Sequence, residues 1–312
     1  MSDATASKEA TAGLVPDVAP SRTLAADAWR SLRRRPEVVM ATVIVAFFAI
    51  MAAFPTLFTK TDPRQCLIRE ARLHPQGFGA EHPFGTDSHG CDLLAQLVHG
   101  ARPSLLLAFV VVAASVLIGV AVGLIAGYYL GWVDAVASRT IEVFLVIPLL
   151  LAALLLLSLF RNVDLGAGTF DAILLPAVVL TMFEWMKYAR YVRASTLEAK
   201  NLDYVTAARA LGASDLRIMG RHVLPNAIGP VTALVPTAIA GIISYEAVLA
   251  FLGIGVRPPA ISWGIMISSG SEWVLGGSAY LLLFPLACLI ATVLSLVVLG
   301  DALRDALDPR LR

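Results

Sequence analysis

The sequence predicts an all-α integral membrane protein with six transmembrane helices and both termini cytoplasmic. Three observations predict it. Of its 312 residues, 58% are hydrophobic and 15% charged, with a mean hydropathy of +0.76; a soluble domain is about half apolar and about a quarter charged. Apolar runs near the roughly 20 residues needed to cross a bilayer recur along the chain. Lys and Arg gather in alternate connections, as the positive-inside rule requires. The same composition excludes disorder and a disulfide-rich scaffold, and a net charge of +1 provides no field for nucleic acid.

Residues 1–36 read as a polar cytoplasmic tail closing on Arg30, Arg33, Arg34 and Arg35. The apolar stretch after them is too long for a signal-peptide core and lacks a small-residue cleavage site. Residues 37–58 are therefore the first helix, with Val38–Phe58 as its apolar run, and 59–102 an external loop. Ser104–Leu130 is the second span, and its Gly119, Gly123 and Gly127 recur every four residues, a stripe that lets another helix approach closely. Ile141–Phe160 is the third. The fourth begins as the short run Ala172–Phe183 and is extended to Val192, with Lys187, Arg190 and Arg193 reaching the cytoplasmic interface. Ile228–Leu252 is the fifth, despite Pro230, Pro236 and Glu246, and Ala279–Leu299 the sixth. Residues 103–312 thus form a five-helix core with a cytoplasmic loop at 194–226. Arg22, Arg139, the stretch Lys187–Arg221 and Arg304–Arg312 fall inside, while the short outer loops keep Arg161 and Arg257.

The cytoplasmic loop holds the first informative segment. Asp203 is a candidate N-cap for an alanine-rich helix, and Gly212 falls where that helix would stop. Ala207, Ala208 and Leu211 share a face at helical spacing. Small residues there suit either docking into a groove of another protein or an amphipathic helix on the inner headgroups. The segment resembles the EAA loop of bacterial ABC-importer permeases: Ala207, Ala208, Gly212, Leu224 and Pro225 match at the right spacing, with Thr206 in place of Glu and His222 in place of Ile.

Two external segments and the C-terminus extend the resemblance. His82-Pro83-Phe84-Gly85-Thr86-Asp87, then Gly90, Cys91 and Asp92, resembles the signature of the dipeptide/oligopeptide importer C-type subunits, except that the family has Arg at Cys91. On residue type alone, His82, Asp87, His89 and Cys91 could also ligate a metal, although their spacing supports no site; the alternative is a capped turn entering an amphipathic helix before the second span. Phe251-Leu252-Gly253 through Pro258-Pro259 to Trp263-Gly264, and Gly300–Arg310, match the same family. The resemblance implies the type I ABC-importer permease fold and a translocation pathway for di- or oligopeptides, shared with a second homologous permease. It also implies two cytoplasmic ATPase subunits and an extracytoplasmic substrate-binding protein as partners. Coupling to the ATPase would fall on Tyr204, Ala207, Ala208, Leu211, Gly212, Ala213 and Ser214. The plasma (inner) membrane is the location it implies, with nickel, glutathione and haem as alternative solutes.

No Gly-x-x-x-x-Gly-Lys-Ser/Thr occurs, so this chain offers no P-loop. ATP and Mg are expected on the partner subunits, with no catalytic residue, cofactor or metal in this chain. An ion-driven secondary transporter would need inverted repeats around a midplane site, and none is visible. Glu142, Glu184 and Glu246 fall in or beside spans, where ionisable groups are costly; each could pack against a base such as Arg139 or Lys187, or line the pathway. Cys66 and Cys91 share the external loop. A disulfide between them would close about 25 residues and contribute about 3 kcal/mol; the alternative is two unrelated thiols.

Overall fold

The computed structural model describes residues 32–71, 74–78, 80–161, 168–257 and 259–307. The polar tail up to residue 31, including Arg22 and Arg30, Pro258 of the paired prolines, and the end of the last signature after Leu307 lie outside the described residues. Among the described residues the regular structure is helical, relieved by the isolated bridges Cys66–Cys91 and Thr86–Asp92. Five helices among these residues are long and apolar enough to cross a membrane, or six if one bent pair counts as a single span.

The first span, α1, is Pro36–Ala53, shorter than the expected 37–58. Pro55 forces Phe54 out of the helical region (φ −128°, ψ 64°), and a 3₁₀ turn, Pro55–Leu57, follows. The second span, α2, is Leu93–Tyr129, so residues 93–102, expected in the external loop, are its first turns. Asp92 starts it by accepting the Ala95 N–H at 2.6 Å. Pro103 lies inside it, removing one ladder bond without ending the helix.

The third span departs most from expectation. Ile141–Phe160 is not one helix: α3, Gly131–Leu145, and α4, Leu149–Leu159, meet at 84°. Pro148 has no N–H and disfavours helix at Ile147, so the chain turns there. At 1.5 Å per residue α4 is about 16 Å long, half of a hydrocarbon core.

The fourth span, α5, is Thr169–Ala199, continuous through the polar residues that left its length open. The glycine stripe of α2 packs on it. A Cβ added at Gly119 would lie 2.6 Å from Tyr188 Cβ, one at Gly123 2.9 Å from Val192 Cβ, and one at Gly127 2.8 Å from Thr196 Cβ. No side chain fits there, so the backbones meet.

Three short helices follow α5: α6, Asp203–Ala210; α7, Asp215–Ile218; and, after a π-turn at Met219–Val223, α8, Leu224–Ala227. The fifth span, α9, is Gly229–Phe251 with Pro236 inside. Helix α10, Trp263–Ser271, is capped by Ser262, and α11, Tyr280–Leu307, is the last span. Trp263 closes the core at the α10 end. It is fully buried, its Nε1–H donates to Leu97 O at 3.0 Å, and its ring meets Phe48 edge-on at 5.2 Å.

Candidate functional site

The segment after α5 is a short helix with one anchored side and one free side. Leu202, not Asp203, is its N-cap; Asp203 is the first helical residue and makes no capping hydrogen bond. A carboxylate in the first turn still favours the helix dipole. The other end is built by Gly212. Its φ is +80°, the Ala213 N–H donates to Ala208 O at 3.1 Å, and the Gly212 N–H donates to Arg209 O at 3.0 Å. This is a Schellman cap, which needs a left-handed residue at that position. A Cβ there would meet nothing within 4 Å, so the demand for glycine is conformational.

Val205 anchors the helix in a small core with Tyr128, Ala199, Ile218, Met219 and Val223. Polar contacts fasten it to α2. Tyr128 Oη donates to Asp215 Oδ1 at 2.6 Å, and Arg209 Nη2 donates to Tyr128 Oη at 3.4 Å. Lys200 Nζ donates to Gly127 O at 2.9 Å, and burial pulls its ammonium below the usual lysine range. Asn226 Nδ2 donates to both Tyr204 Oη and His222 O at 2.8 Å. On the other side Ala207, Ala210, Leu211 and Leu216 face out, with Leu211 89% and Leu216 78% exposed. Tyr204, Gly212 and Ser214 share that exposure, while Ala208 and Ala213 are half-buried at its edge.

The three glutamates have three different settings. Glu246 is fully buried, with no base beside it: Ser262 Oγ donates to Oε1 at 2.6 Å and Ser104 Oγ to Oε2 at 3.4 Å. Ser104 Oγ also accepts the Trp263 N–H at 3.2 Å. Glu246 therefore ties α9 to α2 and to the cap of α10. Glu184 is buried and paired with Lys187. Glu142 is exposed beside Arg139 at 2.9 Å. Arg193 grips Asp134 of α3 with both Nε and Nη2. The Ser104–Glu246 and Arg193–Asp134 contacts, 142 and 59 residues apart, are hidden from any local pattern, whereas the Arg139–Glu142 and Lys187–Glu184 pairs lie three residues apart, as the sequence suggested.

At the opposite end, Cys66 and Cys91 are joined as a disulfide. Cys91 thus cross-links the start of α2 to the start of the loop. His82 lies between two carboxylates, with Nδ1 2.8 Å from Asp92 Oδ2 and Nε2 3.0 Å from Glu70 Oε2. Burial opposes a charged ring, but the hydrogen bonds and charges of Asp92 and Glu70 together outweigh it and raise the imidazole above its ordinary 6.5. Asp87 accepts the backbone N–H groups of His89 and Cys91 and the Gln96 amide. His82, Asp87 and Cys91 are committed to structural contacts, and no metal-holding cluster of three such side chains occurs among the described residues.

Comparison with known proteins agrees with this architecture. Residues 119–312 match the family described as "Binding-protein-dependent transport system inner membrane component", and residues 23–75 match "N-terminal TM domain of oligopeptide transport permease C". The dipeptide transport system permease protein DppC of Bacillus subtilis is 37% identical over 294 residues, 94% of this chain and 88% of that protein. The oligopeptide transport system permease protein OppC of the same organism is 34% identical, covering 94% and 92%. The glutathione transport system permease protein GsiD of Pectobacterium atrosepticum is 32% identical, covering 91% and 90%. A chain from the inward-facing MetNI methionine ABC transporter shares the fold, with a TM-score of 0.53 at 22% identity over 68% of this chain and 96% of that one. An all-helical, multi-span chain, these two family matches and relatives above 30% identity along most of its length lead to one assignment: the chain belongs to the inner-membrane permease components of binding-protein-dependent ABC transport systems.

Proposed function

We propose that this chain forms half of the translocation pathway of a peptide importer. The DppC and OppC relatives support di- or oligopeptides as substrate, and the glutathione permease, named for a tripeptide, fits the same class. A second homologous permease supplies the other half. Two ATPase subunits, carrying ATP and Mg, sit on the cytoplasmic side, and an extracytoplasmic binding protein delivers substrate. Both termini are cytoplasmic, which puts α6 inside and the disulfide-closed loop outside, in an oxidising compartment.

The observation that carries this reading is the exposed apolar face of α6 and α7, set on an anchored mount. Ala207, Leu211 and Leu216 face out, while Val205, Tyr128 and Lys200 lock the other side to α2 and α5. A push on the exposed face is thereby passed to the ends of two long helices. Closure of the ATPases on ATP moves this segment and switches the permease pair between inward-open and outward-open states.

A cysteine at Leu211, in the assembled complex, tests it. Crosslinking to the ATPase is expected, and Leu211→Glu should leave insertion intact while substrate-stimulated ATP hydrolysis and peptide uptake fall together. No crosslink, with wild-type uptake in Leu211→Glu, overturns the assignment of this face.

A further inference from the structure

Two cavities meet at Arg102, and the docking machinery uses neither. The upper one, 310 Å³, lies beyond the outer end of α1 and is lined by Thr59, Lys60, Asp62, Arg64, His99 and Arg102 among others. The lower one, 440 Å³, runs down between α1 and α2, with Ala49, Ala53, Leu105, Leu106 and Phe109 as apolar walls and Arg102 at its top. Both volumes are in the range of small-molecule sites.

The charges in the upper cavity are unbalanced. Lys60, Arg64 and Arg102 are exposed, and among the described residues no hydrogen bond or ion pair engages their side-chain cations. Asp62 is the single carboxylate, and its Oδ1 already accepts the Arg64 backbone N–H at 2.9 Å. His99 uses Nδ1 against Ala95 O at 3.0 Å. Three free cations around one engaged carboxylate form a cup for an anion, and a guanidinium matches a phosphate with a two-pronged donor pair.

Depth and shape select among anions. Arg102 is nearly three turns into α2, level with Ala53 where α1 ends. At the 3₁₀ turn beside the cup, Phe54 is 59% and Leu57 73% exposed, so an apolar surface that suits lipid adjoins the cations. A soluble anion would fill the cup and leave the groove below it empty. An anionic phospholipid fits both.

We propose that the two cavities are one binding site for an anionic phospholipid, with its phosphate among Lys60, Arg64 and Arg102 and an acyl chain in the groove between α1 and α2. The lipid then wedges the N-terminal helix against the permease core at the membrane end away from α6.

The test uses the full-length chain in nanodiscs of mixed phosphatidylglycerol and phosphatidylcholine, with bound lipid read by native mass spectrometry. Phosphatidylglycerol should be enriched on the wild type. Its affinity should fall about fivefold per cation removed and on the order of 100-fold in Lys60→Gln/Arg64→Gln/Arg102→Gln. Arg102→Lys should keep most of the preference. Ala49→Trp, which fills the groove and leaves every cation in place, should also release the lipid. The three cations are exposed, so in phosphatidylcholine alone the triple variant should unfold at the wild-type temperature. Equal retention of both lipids, or a triple variant that still enriches phosphatidylglycerol, overturns the proposal. So does displacement by inorganic phosphate or a free dipeptide with Ala49→Trp silent, since the cup would then serve a soluble anion. A crosslink from Ala49→Cys to the neighbouring permease would assign the groove to protein instead.

Discussion

The two ends of α2 are finished in opposite ways. At its N-terminus the chain is closed on itself: the Cys66–Cys91 bond, the Glu70–His82–Asp92 clamp and the Asp92 cap all converge on Cys91 and Asp92, just before Leu93. Tyr280 Oη adds a hydrogen bond to Thr86 O, and Phe84 stacks on Phe284 at 4.6 Å. At its C-terminus, about 55 Å away for 37 residues, the helix meets α6 and α7 through single hydrogen bonds and one small core. There the outer surface is left apolar and uncovered. A covalent staple suits a part that must keep its shape, and a hydrogen-bonded mount suits the part that, in the proposed function, is pushed. The difference gives separate ways to damage each end, and the effects should be ordered by how each is held.

The largest effect belongs to the staple. Cys66→Ser with Cys91→Ser should lower stability by about 3 kcal/mol in the chain-entropy model, seen as a lower melting temperature of the purified protein. The reducing agent dithiothreitol should reproduce that loss in the wild type and add nothing in the double variant. Coupling between ATP hydrolysis and uptake at the far end should survive in whatever remains folded. Equal uncoupling would dissolve the contrast between the two ends.

Next comes the Schellman cap of α6. Gly212→Val forces a β-branched residue into a left-handed conformation, which costs about 1–2 kcal/mol even for ordinary side chains. The cost should appear as loss of substrate-stimulated ATP hydrolysis, with little change in global melting. Gly212→Asn should restore much of the activity, because Asn tolerates that backbone and open space surrounds the site. If Val and Asn behave alike, the role of Gly212 is contact with the ATPase and not chain geometry.

Tyr128→Phe should do less. It keeps the ring in its core and removes the donor to Asp215, a loss of about 1 kcal/mol. Hydrogen exchange at α6 and α7 should accelerate while the amides of α2 stay protected. Faster exchange throughout α2 would mean that the two ends form one cooperative unit.

Most of the helical layout was legible because its signals are local. The Gly119, Gly123, Gly127 spacing predicts a helix contact, and α5 supplies it. Gly212 predicts a helix stop, and it makes one. Prolines misled in both directions. The external loop is expected to run to residue 102, yet Pro103 sits inside α2, where only one ladder bond is missing; Ile141–Phe160 is expected as one span, yet at Pro148 the chain bends by 84°. Whether a proline breaks a helix depends on the packing around it, which the sequence does not display. The Ser104–Glu246–Ser262 hub and the Tyr128–Asp215 mount were illegible for a related reason, since their partners are up to 142 residues apart and only the tertiary fold brings them together. The cation cup escaped notice because Lys60, Arg64 and Arg102 read separately as ordinary loop charges.

The smallest effect, and the one that most sharpens the comparison, concerns His82. Its imidazole is held above its ordinary 6.5 by Asp92 and Glu70 acting together against burial. A group whose pKa is raised on folding stabilises the protein below its unfolded pKa, and that stability is lost as pH rises through the folded value. The clamp should therefore be fully formed at pH 6 and weaken above 6.5, loosening the hold on Glu70 while the Cys66–Cys91 bond keeps the loop closed. Because the disulfide carries most of the constraint, the melting temperature should fall by only about 1–2 °C across this window. His82→Gln should flatten that part of the profile. In the Cys66→Ser/Cys91→Ser background the same pH step should cost more, since the clamp then holds the loop without the covalent bond. An identical pH response with and without the disulfide would mean that the clamp acts on the Asp92 cap alone, and the N-terminal end of α2 would then be two independent devices instead of one closed unit.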